Sequence, residues 1–337
     1  MKQKMTRILV LVLALSMVLS MTAFAVGSGA QEGTGSSGTL TESPAPSVPS
    51  YRVIVEDTQK DKLRPDRTTA SAGSTVTIKV PEGISADEIR VVDKDGKLLP
   101  LTKVNDSTYT FQMPASDVNV SGTLNDLRLN TTDHSAYIQG YPDGTFRPEG
   151  SLSRAEAATI FYRLLLDTSV NANVSFTDVA AGKWYEAAVK TLAGKGVITG
   201  YPDGTFKPTK SVTRAEFCAM ASRFFALKDG TVKFTDVPAT FWGYKYIASA
   251  VANGWLTDSE TAYHPNGAIT RAEVVTIVNR MLGRSADGAF LETGAAGLKT
   301  FTDVKTGDSF YLDVMEAANG HEYRASTAAT ETWTALK

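Results

Sequence analysis

The 337-residue sequence has a single cysteine, Cys218, and three histidines, His134, His264 and His321. One cysteine excludes an intrachain disulfide framework. Its place in an apolar helical pattern marks it as a small buried side chain. With so few histidines no H-E-x-x-H helix exists, because His321-Glu-Tyr-Arg has no second histidine one turn later. G-x-S-x-G is missing too. No catalytic residue, no metal site and no cofactor is expected, and the chain is not read as an enzyme. An excess of positive charge is also lacking: 34 Lys and Arg stand against 36 Asp and Glu, which argues against nucleic acid as a partner.

Only one long apolar run is found, ILVLVLALSMVLSM, short for a membrane span of about 20 residues. Lys2, Lys4 and Arg7 precede it and Ala23-Phe24-Ala25 follows, the order of a secretory signal. Residues 1–25 are therefore expected to be removed, leaving a secreted chain with no membrane contact and a net charge of about −5. Residues 26–50 are rich in Gly, Ser and then Pro, a solvated linker. The Gly33-x-Gly35-x-x-Gly38 match inside it follows no strand and opens no helix, so it is accidental.

What is present is a β-type segment followed by a repeat. Over 51–124, YRVIV, STVTIKV, EIRVV, STYTFQM and VNVSG are rich in β-branched and aromatic residues. Val76, Ile78 and Val80 share one face, and Tyr109, Phe111 and Met113 share another strand's face. Asp95-Gly96 suits a tight hairpin. The expected structure is a small antiparallel β-sandwich, serving as spacer or adhesive module. YTFQMPASDVNVSG resembles the end of β-repeat domains common on bacterial surface proteins.

From about residue 129 an internal repeat dominates. FTDV begins at Phe176, Phe234 and Phe301, with Trp184 and Trp242 each eight residues after the first two. GYPDGTF occurs at 140–146 and 200–206, and SRAE, TRAE and TRAE at 153–156, 213–216 and 270–273. Each Ser153, Thr213 or Thr270 is followed three residues on by Glu156, Glu216 or Glu273, the capping-box signature of a helix start. Apolar residues then recur at helical spacing: Ala157, Ile160, Phe161, Leu164 and Leu165 in the first repeat, Phe217, Met220, Ala221, Phe224 and Phe225 in the second, Val274, Ile277, Val278, Met281 and Leu282 in the third. Three such faces should meet in one helical core.

This combination of motifs resembles the S-layer homology module, over roughly 129–323. The resemblance implies a pseudo-threefold, trimer-like all-α assembly after the β-sandwich, an α+β multidomain chain. It also implies non-covalent anchoring to the cell wall of a Gram-positive-type bacterium through an anionic secondary cell-wall polysaccharide, one bearing pyruvate ketals. Repeat 1 spans 129–170 without its first helix, repeat 2 spans 171–230 and repeat 3 spans 231–285. The third loop, TDSETAYHP, departs from GYPDGT and is one residue shorter. The extra FTDV segment, 299–323, is expected to close the assembly by filling the place vacated at the start, with 324–337 as a tail.

Folding accounts for the Ser or Thr and the Glu of each motif, but not for Arg154, Arg214 and Arg271. A cation at a helix N-terminus opposes the dipole by roughly 0.3–1 kcal/mol. A guanidinium beside free N-terminal amides would instead grip a carboxylate, so these arginines are the leading candidates for ligand binding; the alternative is an ion pair between repeats. Asp178, Asp236 and Asp303 read as helix caps, and the resemblance adds them to the binding groove. Gly140 and Gly200 allow close approach in the loop, and the resemblance puts such a glycine near the ligand. Trp184 and Trp242 suit either stacking on a sugar or core packing. One acid per loop is too few for a calcium site. Two further readings stay open: a self-assembling surface-layer subunit with other surface-layer proteins as partners, and an adhesin displaying the β-domain.

Overall fold

The computed structural model describes residues 48–105, 107–170, 174–325 and 331–337. The expected signal segment and nearly all of the linker lie outside these residues. The described chain is α+β, with β-sheets in its N-terminal part and helices in its C-terminal part.

Eight strands come first: β1 (Ser50–Val55), β2 (Arg64–Pro65), β3 (Thr69–Ser71), β4 (Thr75–Lys79), β5 (Ile84–Asp93), β6 (Thr102–Asn105), β7 (Thr108–Gln112) and β8 (Val118–Asp126). They make two four-stranded sheets, ordered β3-β1-β8-β5 and β2-β4-β7-β6. Alternating residues Val53, Val55, Val76, Ile78, Phe111, Val118 and Val120 enter one core. After Asp95, Gly96 turns at φ 77°, and Asp93 Oδ1 accepts the N–H groups of Asp95 and Lys97. The expectation of wholly antiparallel pairing is corrected at one place. β1 and β8 run parallel, Val53 opposite Val118 and Val55 opposite Val120. Side chains alternate with period two in either orientation, so the residue pattern could not separate them.

The helices are α1 (Arg154–Leu164), α2 (Glu186–Gly194), α3 (Arg214–Ala221), α4 (Tyr244–Ala252), α5 (Arg271–Leu282), α6 (Gly288–Glu292) and α7 (Tyr311–Ala318). Helices α1, α3 and α5 each begin with a complete capping box, on Ser153, Thr213 and Thr270. Their apolar faces join one core, with Phe161 and Phe224 stacked at 4.8 Å between ring centroids. Each packs on the helix that follows an FTDV motif: α1 on α2, α3 on α4, α5 on α7. In the centre the residues just before the caps close a ring of backbone hydrogen bonds. Leu152 N–H donates to Ile269 O (3.0 Å), Ile269 N–H to Val212 O (2.9 Å) and Val212 N–H to Leu152 O (2.9 Å). All three side chains are fully buried.

The chain ends in an antiparallel hairpin, β9 (His321–Ala325) and β10 (Glu331–Leu336). The stretch from 324, expected as a tail, thus contributes strand residues. Trp333 is the physical reason: it is 3% exposed, packed with Leu291 and Met315, and burying so large a side chain fixes the segment. The β part meets the helices through polar contacts. Lys62 Nζ pairs with Asp167 at 2.6 Å, and Lys195 Nζ donates to Asp126 O at 3.0 Å.

Candidate functional site

Each FTDV aspartate reaches a loop. Asp178 accepts the backbone N–H groups of Phe206 and Lys207 at 2.7 and 2.8 Å. Asp236 does the same for Tyr263 and His264, and Asp303 for Phe146 and Arg147. Lys207, His264 and Arg147 are the three non-glycine residues with left-handed backbones among the described residues, at φ 58°, 55° and 57°. A two-pronged acceptor holds a turn these side chains disfavour. This corrects the reading of the three aspartates as helix caps: the N-cap positions of α2, α4 and α7 are Tyr185, Gly243 and Phe310, and none makes a side-chain cap bond.

Gly140 and Gly200 serve the same clamp. A Cβ on Gly200 would lie 2.3 Å from Phe176 Cε1, and one on Gly140 2.4 Å from Phe301 Cε1. The glycines admit the FTDV phenylalanines edge-on. Thr177 N–H donates to Gly204 O and Thr302 N–H to Gly144 O, so 301–304 makes with 140–147 the bonds that 176–179 makes with 200–207.

The arginines reach from one repeat to the loop of the next. Arg154 donates from Nε to Phe206 O (2.8 Å) and from Nη2 to Thr199 O (2.7 Å). Arg271 repeats this on Phe146 O and Gln139 O, adds Glu156 at 3.2 Å, and is only 3% exposed. The amides that the sequence leaves free at these helix starts are taken by the neighbouring loop. Arg154 N–H donates to Lys210 O, Arg214 N–H to Gly267 O and Arg271 N–H to Gly150 O, with the next amide in each case bound to Pro208, Pro265 or Pro148.

Arg214 differs. Its fork pairs with the Glu273 carboxylate, 2.6 Å from Nη2 and 2.7 Å from Nε. Beside it lies the shortened third loop, and there a cavity of about 380 Å³ opens. Arg214, Glu273, Arg280, Trp255, Tyr263 and Phe310 are among its walls. Burial pushes the Cys218 thiol behind Tyr263 up to about 12, so it stays protonated. Ser309 lines the same cavity at the place that Trp184 and Trp242 hold in the other FTDV segments. Those tryptophans are 64% and 54% exposed, which removes core packing as their role. Trp242 sits beside Gly243, where a Cβ would come within 3.2 Å of Ala215 Cβ at the start of α3.

Three capped helices, each with its first amides bonded to a neighbour's loop, and three loops held by aspartate clamps define a repeated helical module. Three segments of the chain, 134–158, 175–218 and 233–275, match the family model of the S-layer homology domain. The chain is 34% identical to the cellulosome-anchoring protein of Acetivibrio thermocellus over 227 residues, 64% of this chain and 47% of that one. It is 35% identical over 208 residues to cell surface glycoprotein 1 of the same organism, covering 57% of this chain and 9% of that protein. A surface-layer 125 kDa protein of Lysinibacillus sphaericus is 35% identical over 170 residues, 48% and 14% of the two chains. The chain thus spans about half the length of the first relative and far less of the other two. Among the described residues no helix is long and apolar enough to cross a membrane.

Proposed function

We propose that this protein is exported and anchors itself without a covalent bond to the cell wall of a Gram-positive-type bacterium. Its ligand is an anionic secondary cell-wall glycan, with pyruvate ketals as the acidic substituents. The three repeats act as a pseudo-threefold ring that 299–323 closes, and the two N-terminal sheets form a sandwich displayed from it. The names of the relatives, an anchoring protein and surface-layer proteins, support the anchoring role.

The observation that carries the glycan reading is the cavity at Arg214. Two guanidinium groups, Arg214 and Arg280, share it with Trp255, Tyr263 and Phe310. Aromatic faces suit sugar rings and an arginine fork suits a carboxylate. Arg214 is free to exchange Glu273 for a ligand carboxylate, because that pair is part-exposed and weakly worth keeping, about 0–1 kcal/mol. Arg154 and the exposed Trp184 and Trp242 supply secondary contacts. Arg271, Asp178, Asp236, Asp303, Gly140 and Gly200 hold the loops in place for binding. No group in this arrangement is assigned a catalytic role.

Co-sedimentation tests the reading. The mature protein should pellet with purified wall and stay in solution with wall stripped of its secondary polymer by acid. Equal pelleting with both walls overturns the glycan as ligand.

A further inference from the structure

Away from the arginine-flanked loops, four ionisable side chains from distant parts of the chain face one another in the interior. His134 comes from the lead-in to the first repeat, Glu316 from α7, His321 from β9 and Glu331 from β10. His134, Glu316 and His321 are 2%, 1% and 0% exposed, and the Glu331 side chain 8%. Their facing atoms all lie within 4.8 Å of one another.

Hydrogen bonding within the protein leaves this cluster unsatisfied. His321 Nδ1 lies 2.9 Å from Asn319 O, so that nitrogen carries the proton and Nε2 presents its lone pair inward. His134 Nδ1 sits 3.1 Å from that Nε2 and 2.9 Å from Glu331 Oε2, and it has one proton at most to give in its neutral form. Both oxygens of Glu316 and Oε2 of Glu331 have no hydrogen-bond partner of normal geometry. Unpartnered buried carboxylate oxygens are strongly unfavourable. Buried Arg284 is the nearby cation, and its two terminal nitrogens donate to the carbonyls of Asn130, Asp133 and Ser135, while its Nε has no partner.

The spacings fit a cation at the centre. A tetrahedron with metal bonds of about 2.0–2.1 Å has edges of about 3.3–3.4 Å. Three of the facing atoms, His134 Nδ1, His321 Nε2 and Glu331 Oε2, are separated by 2.9, 3.1 and 3.5 Å. Glu316 turns one oxygen to each ring, Oε2 3.6 Å from His321 Nε2 and Oε1 3.7 Å from His134 Nδ1. With one donor atom per residue the whole set lies within 4.8 Å, so Glu316 moves inward to close the tetrahedron. The rings are held from behind: His321 stacks on Trp333 and His134 on Tyr323, each at 3.8 Å. The Asn319 carbonyl on His321 is the usual outer partner of a metal-bound imidazole.

We propose that His134, Glu316, His321 and Glu331 form a closed, structural site for one divalent transition-metal ion of the zinc type. Two imidazoles and two carboxylates complete a four-coordinate set, leaving no open position for chemistry. The ion staples the C-terminal hairpin and α7 to the lead-in of the first repeat. There His321 N–H already bonds His134 O and Tyr137 N–H bonds Ala317 O. It therefore acts on the closing segment of the ring, independently of what the grooves bind. Sequence spacing could not reveal it, because His134 and His321 stand 187 residues apart.

The test uses the full chain, stripped with a chelator under native conditions and dialysed. Adding Zn²⁺ alone should restore about one equivalent of tightly held metal. It should raise the melting temperature by roughly 5 °C at a hundredfold excess over Kd. Co²⁺ in its place should give the visible absorption of a tetrahedral ion. His321→Ala and Glu316→Gln should each abolish both signals, and His264→Ala should leave them intact. Should a variant fail to fold, the wild-type metal content and cobalt spectrum still decide. Absence of uptake by the wild-type chain, an octahedral cobalt spectrum, or uptake lost in His264→Ala and kept in His321→Ala overturns the site.

Discussion

Asp303 holds Phe146 across 157 residues of chain, its Oδ1 accepting the Phe146 backbone N–H at 2.7 Å. The same carboxylate takes Arg147 N–H, and Phe301 lies against Gly140. The first repeat has no FTDV helix before its loop, so these contacts come from the far end of the chain. Deleting 300–337 removes them and also takes Val304, Val314 and Ala317 out of the shared core. At roughly 1.5–3 kcal/mol for each larger apolar side chain, the loss is several kcal/mol. Circular dichroism on the truncated protein should register a melting temperature lower by roughly 10 °C or more. An unchanged melting curve would remove the closing role from this segment.

Gly200→Ala tests the clamp within one repeat. The added methyl would meet Phe176 Cε1 at 2.3 Å and Thr205 O at 2.8 Å. One of these neighbours is backbone, so the ring and the loop must separate, costing about 1–3 kcal/mol. Gly307→Ala is the control, since nothing lies within 4 Å of its Cβ position. Urea denaturation should shift for the first variant and not for the second.

These two predictions mark where the sequence was readable. The capping boxes on Ser153, Thr213 and Thr270 are local, three residues wide, and the helices start where those motifs place them. The apolar faces were readable for the same reason, because helical spacing is a short-range pattern. The role of the aspartates is not legible locally because their partners are remote: Asp178 binds a turn 28 residues on, Asp303 one 157 residues back. An aspartate shortly before a helix looks like a cap until the loop it clamps is known. The arginines misled in a different way. Their helix position is legible, but only the fold reveals that Gly267, Lys210 and Gly150 carbonyls already take the first amides. The parallel pairing of β1 with β8 had no sequence signal at all.

Acid should loosen the junction between sheets and helices. Burial raises the Asp167 carboxyl, but Lys62 at 2.6 Å and the Ser169 hydroxyl and amide outweigh it and hold it well below the usual value. Asp126 behaves alike: burial raises it, while Arg128, and then Lys62, lower it further. A carboxyl depressed in the folded state adds stability above its unfolded pKa. That stability is full above about pH 5 and fades as pH falls through the lowered values. Asp167→Asn should therefore lower the melting temperature at pH 7, by about 1 kcal/mol in stability for a part-exposed pair. Its curve should begin to approach the wild type below about pH 4 and meet it only once pH has fallen through the lowered carboxyl value. Parallel curves at all pH values would exclude this pair as the acid-sensitive contact.

Arg214 and Arg271 occupy equivalent helix positions and should fail in opposite ways. Arg271 is buried, and Arg271→Ala strands the Gln139 and Phe146 carbonyls and loosens Glu156. The expected cost is on the order of 3 kcal/mol, read as a lower melting temperature. Arg214 meets a cavity and a part-exposed Glu273, so Arg214→Ala should change stability by less than about 1 kcal/mol. Its effect should appear in wall co-sedimentation, as a loss of roughly tenfold or more in affinity, the worth of one charge-assisted fork. Arg154, bonded to carbonyls at a part-exposed position, should fall between them. If the three positions contribute together, the triple variant will lose more than any single one. The two assays separate positioning from contact: a variant that melts normally and no longer pellets identifies a ligand-touching arginine. Normal pelleting by a folded Arg214→Ala protein would move the binding site away from this cavity.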